Sequence, residues 1–190
     1  MWKPLIKCSI VGGIVVFIWY TISWLVLPWH TATLNTFENE QAVVGALLAN
    51  APKDGIYVIP DMNKEAQTQA QRSDDGYYGN QEPAAGTPYV FANIVRTAPG
   101  KEKMTKSIVI GVISQMMGAF IVTFLLLKSK AMKYGKRVGF VTLLGLFLGL
   151  MSALPMWNWW AFPVGFTIVS ILDPLIAWFF GGLVIAKLVK

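Results

Sequence analysis

The sequence predicts an all-α transmembrane four-helix bundle with a small α+β extracytoplasmic domain inserted between its first and second helices. Three observations carry that expectation. Of the 190 residues, 55% are hydrophobic, too many for an ordinary soluble domain. The apolar residues gather into long runs rather than alternating with polar ones. A polar stretch of about 80 residues, long for a loop and short for a domain, separates the first run from the second.

The runs cover residues 5–27, 108–127, 138–155 and 163–186. Crossing the hydrocarbon of a bilayer takes about 20 helical residues, with about 17 as the lower limit. Backbone groups in lipid find no water, so runs of this length are expected to satisfy themselves as helices. The first run follows Lys3 and Lys7 and has the look of a secretory leader. It is too long for one, and it ends in the bulky "WLVLPWH", where leader cleavage needs small side chains. A retained signal-anchor helix is the expectation.

Charge sets the expected threading. The net charge is +6. Lys3, Lys7, Lys128, Lys130, Lys133, Lys136, Arg137, Lys187 and Lys190 all flank helix ends, with no acidic residue among them. The positive-inside rule then places both termini and the basic loop 128–137 in the cytoplasm of a bacterial inner membrane, with residues 28–107 in the periplasm. Contact with anionic lipid accounts for the basic ends, so no nucleic-acid partner is expected. Cys8 is the only cysteine, which excludes a disulfide framework and a dithiol relay.

Within 28–107, Asn35 and Glu38 resemble a capping box, followed by Phe37, Val44, Leu47 and Leu48 at helical spacing. Ile56–Pro60 and Pro88–Thr97 read as strands, rich in β-branched and aromatic residues. The Gln-rich stretch between them predicts a helical start over residues 63–72 and a polar excursion after it.

Two aromatic clusters mark one side of the bilayer. Trp24, Trp29 and His30 close the first helix, and Trp157, Trp159 and Trp160 sit in a short hairpin over 156–162. Amphipathic rings favour the membrane interface, so these six residues form the candidate belt for anchoring or for contact with a partner. A metal site needs several converging ligands, and His30 is the only histidine, so no metal or cofactor is expected.

Asp173 is the residue that asks for a function. A carboxylate at the middle of a spanning helix costs about 2.5–3.5 kcal/mol on insertion scales and is not expected to face lipid. Thr167, Ser170, Asp173, Ala177 and Gly181 fall on one small, polar stripe of the last helix, which should face the bundle. Matching depths at 1.5 Å per residue puts Gln115 and Tyr20 near it. Asp173, Gln115, Ser170 and Tyr20 are therefore the candidate ligand or ion site. Ser114 belongs to the same guess. Gly145 and Gly149 form a small-xxx-small pair for close helix packing. No catalytic residue is nominated, because no nucleophile, zinc-hydrolase or phosphate-loop motif occurs.

"SWLVLPWH", "GIYVIP", "RVGFVTLLGLFLGL", "WNWWAFP" and the Asp-bearing last helix together resemble a group of small, uncharacterised bacterial four-helix inner-membrane proteins. The resemblance implies a four-helix bundle with an outer domain between helices 1 and 2. It implies no activity and no functional residue. The expected function is that of a non-enzymatic accessory or assembly protein, meeting a membrane partner or a second copy through its outer domain and aromatic belt. The alternative is a module that binds or transports a small ligand, lipid or cation at the Asp173 cluster.

Overall fold

The computed structural model describes residues 2–60, 86, 88–98, 100–129 and 131–189. The helical expectation for 63–72 and the polar excursion lie outside them. The chain divides into two units, Met1–Asn35 with Pro99–Lys190, and Thr36–Ala98.

The first unit holds four helices long and apolar enough to cross a membrane, as in a multi-pass membrane protein. They are α1 (Trp2–Leu25), α3 (Lys101–Lys128), α4 (Tyr134–Trp160) and α5 (Val164–Leu188). Each outruns its apolar stretch at one end or both. α3 begins seven residues ahead of Ile108, with Glu102 in its first turn and Lys128 in its last, both matched to the helix dipole. α4 runs past residue 155 despite Pro155 and stops at Ala161, whose left-handed backbone (φ 53°) turns the chain back. Trp157, Trp159 and Trp160 therefore sit on the last turn of a helix rather than in a loop. Pro163 then caps α5.

Main contacts run α3 to α1, α1 to α5 and α5 to α4, with α3 touching α5 only slightly. Glycines set these seams. A Cβ on Gly13 of α1 would lie 2.6 Å from the backbone of Met116 in α3. On α4, a Cβ on Gly145 would lie 2.6 Å from the Pro174 carbonyl, and one on Gly149 would lie 2.7 Å from that of Ile171. The paired glycines thus bring α4 onto the backbone of α5. Gly12 against Ile185 and Gly181 against Val16 show that α1 and α5 run antiparallel. Trp178 of α5, 5% exposed, reaches both Gly118 of α3 and Gly145 of α4, filling the middle of the array.

The basic end is tied separately. The Arg137 guanidinium donates to the carbonyls of Ala186 and Val189, and the Tyr134 hydroxyl donates to Leu183 O at 3.1 Å. Through Arg137 the start of α4 thereby satisfies two of the carbonyls that the end of α5 leaves free.

The second unit contains α2 (Glu40–Asn50) and an antiparallel pair, β1 (Gly55–Ile59) with β2 (Val90–Ile94), in register Gly55–Ile94 through Ile59–Val90. The cap of α2 is Asn39, whose side chain accepts the Ala42 N–H, so the helix begins later than an Asn35 capping box would place it. Arg96 ties the parts together: its N–H reaches Asp54 and its guanidinium reaches the carbonyls of Leu48 and Ala51 at the end of α2.

Candidate functional site

Trp19 and Ser23 lie four residues apart on α1 and so share a face. After Leu25 the chain does not leave the helices. The N–H of Ala32 bonds Pro28 O, the hydroxyls of Thr31 and Thr33 bond Pro28 O and His30 O, and Thr31–Thr33 forms a 3₁₀ turn. These local bonds fold residues 26–34 back and turn the His30 ring inward, leaving the residue 6% exposed.

There it meets Asp173, 3% exposed, with Nε2 3.1 Å from Oδ2. The other carboxylate oxygen accepts the Trp19 indole N–H at 2.8 Å. Ser23 Oγ lies 3.0 Å from the same His30 Nε2 and accepts the Trp29 indole N–H at 3.0 Å. Trp24 stacks on the imidazole with centroids 3.9 Å apart and planes 9° from parallel. Trp29 meets His30 and Trp19 edge-on, and Trp19 packs on Phe180 at 5.3 Å. The result is one buried network joining α1, the 26–34 turn and α5.

Hydrogen bonds that involve a charged partner are the strong class, and in low dielectric they gain further from one another. A buried carboxylate without such partners would be costly in lipid. With both oxygens bonded, Asp173 is tolerated where it stands. Pro174 follows directly, and its ring Cγ and carbonyl lie against Gly149 and Gly145, so the helix segment carrying the carboxylate is also the one pressed by α4.

Ser, His and Asp invite comparison with a hydrolytic relay. In such a relay the carboxylate orients Nδ1 while Nε2 serves the serine. Here Ser23 and Asp173 converge on the same Nε2, and the Trp29 indole already occupies the serine oxygen. Ser23 is fully buried at 0% exposure, so no substrate bond can approach its hydroxyl in this conformation. The geometry is that of a clasp.

The nominated residues distribute unevenly. Asp173 faces the bundle, as do Thr167, Ala177 and Gly181 of its stripe, while Ser170 is half-buried. Tyr20 lies within electrostatic range of Asp173. Gln115 and Ser114 sit on α3, the helix that barely touches α5, and Ser114 bonds its own Ile110 carbonyl at 2.8 Å. Neither reaches Asp173 among the described residues. Of the aromatic belt, Trp24, Trp157 and Trp159 are exposed and Trp160 is half-buried, whereas Trp29 and His30 turn into the protein. Trp19 was not nominated at all. Its spacing from Ser23 was the available signal, together with the fact that His30 is the only imidazole in the sequence and Asp173 the only carboxylate in its four apolar runs.

Two surface recesses lie elsewhere. One of about 360 Å³ runs between α1 and α3, lined by Ile10, Met116 and Phe120 among others, and one of about 450 Å³ lies along Gly135, Gly139 and Leu175. Neither is lined by His30 or Asp173. Among the described residues no group of three or more metal-ligating side chains converges. Comparison with protein-family models, with curated proteins and with solved structures found no match for this chain.

Proposed function

We propose that the chain is a non-enzymatic accessory or assembly protein of a bacterial inner membrane. Its termini and basic loop lie in the cytoplasm, and the unit Thr36–Ala98 docks on a membrane partner in the periplasm. The supporting observation is the surface of that unit. Ala51 is its single buried residue among those described, while Phe37, Val44, Leu47, Leu48 and Ile56 are all exposed by 40% or more. A two-stranded ribbon with one short helix is marginal alone in water, and contiguous exposed apolar residues favour an interaction site. Trp24, Trp157 and Trp159, exposed on the membrane unit, form a second candidate contact, an aromatic belt. The occupied oxygens of Asp173 favour a structural role for that carboxylate over a ligand-binding one.

Native mass spectrometry on protein extracted gently from its own membrane tests this reading. A stoichiometric protein partner is expected, lost in a Leu47→Asp, Ile56→Asp variant whose own abundance is unchanged. A monomer carrying a defined lipid or small molecule, with the same result for the variant, would overturn it in favour of ligand binding.

A further inference from the structure

We infer that the His30–Asp173 pair is a proton-binding site that latches residues 26–34 against α1 and α5 and releases them on acidification. Asp173 Oδ1 accepts from Trp19, while Oδ2 and Nε2 stand 3.1 Å apart. That separation holds while a single proton lies between them, both with the neutral imidazole and with the imidazolium formed when hydronium protonates Nδ1. The next proton goes to the carboxyl and sets Oδ2–H against Nε2–H, and two donors at that distance repel. Nε2–H is then left with Ser23 Oγ alone, an oxygen already accepting from Trp29.

The pair sits where release has consequences. Among the described residues, the backbone and threonine-hydroxyl hydrogen bonds of residues 26–34 are local, within the turn and to Ile22 O at the end of α1. Cross-element polar ties come from His30 to Asp173 and from Trp29 and His30 to Ser23. The turn leads by chain connection into the unit that begins at Thr36. Proton access is short: Trp24, stacked on the imidazole, is itself 50% exposed.

Few other groups can answer to pH there. The turn contributes His30 alone, α1 contributes Tyr20 nearby, and α5 contributes Asp173. α4 has no titratable residue after Arg137, and the charged residues at the start of α3, Lys101, Glu102, Lys103 and Lys106, are exposed.

The indole N–H groups report it directly. Protein labelled with ¹⁵N at tryptophan, in nanodiscs, is titrated from about pH 8 to about pH 4, which spans the ordinary imidazole and carboxylate ranges. The Trp19 and Trp29 indole signals are assigned by Trp19→Phe and Trp29→Phe. Both are expected to move together, with one midpoint, toward the position of water-bonded indole, while Trp178 stays fixed. In Asp173→Asn, and separately in His30→Gln, the joint movement is expected to be lost. Either variant suffices where the other fails to fold, and the wild-type titration decides where both do. The inference is overturned if the two signals are static, if they move with separate midpoints, if Trp178 moves with them, or if the joint transition survives in a folded variant.

Discussion

Asp173 shows what a lone intramembrane carboxylate requires. Its oxygens take an indole N–H from α1 and the imidazole of a turn, so removing the carboxylate strips the Trp19 N–H of its acceptor and leaves the imidazole with Ser23 Oγ alone. Asp173→Ala is expected to destabilise the membrane unit by about 3–5 kcal/mol, the range for breaking a buried pair from one side. Asp173→Asn retains an acceptor and is expected to cost less. Trp19→Phe keeps the ring packing on Phe180 but bares one oxygen, for an expected loss of about 1–3 kcal/mol. Denaturation in mixed micelles orders the three variants. The stripe on α5 was legible because burial of a carboxylate in lipid is compulsory, and helical spacing then selects the face. Its partner was not legible. Depth matching nominated Gln115, which is right only if α3 packs on α5. His30 reaches Asp173 because Pro28 and two threonine hydroxyls fold the chain back, a local geometry that hydropathy does not encode.

Helix faces carry the next level of specificity. The glycines divide into those against backbone, those against side chains and those facing outward. A Cβ on Gly13 meets Met116 backbone at 2.6 Å, whereas one on Gly139 meets nothing within 4 Å. Alanine favours a helix interior over glycine by about 1 kcal/mol, so Gly139→Ala is expected to be neutral or stabilising. Gly13→Ala is expected to lose more than it gains, by about 1–3 kcal/mol, because the seam must open. Thermal inactivation of the two variants, measured side by side, separates these outcomes. The helices themselves were legible as runs, and the Gly145/Gly149 pair as a packing face. Their ends were less so, since α4 carries Pro155 in its interior and extends to Trp160. The cap of α2 shifted from Asn35 to Asn39 because both offer the same side chain, and only the fold chooses between them.

At the scale of the molecule, the threading proposed above puts both termini on one side of a membrane and the inserted unit on the other. With Cys8 buried, single cysteines introduced at exposed sites are clean reporters. Lys133→Cys is expected to react only from the face shared with the termini, and Lys101→Cys only from the opposite face, when an impermeant maleimide is applied to sealed vesicles of each orientation. Labelling of both from one side would refute the threading. The four-helix architecture was legible because lipid leaves the backbone no alternative. Helix order was not, because antiparallel neighbours can be arranged several ways, and only the glycine contacts select α3–α1–α5–α4. The account turns on the clasp between the end of α1 and α5, and a double-mutant cycle over His30 and Asp173 tests it most directly. Stability is measured for the wild type, His30→Ala, Asp173→Ala and the double variant. The double variant is expected to cost no more than the worse single one, a coupling of at least about 1 kcal/mol. Losses that add to within about 0.5 kcal/mol would show two residues that do not meet, and would contradict it.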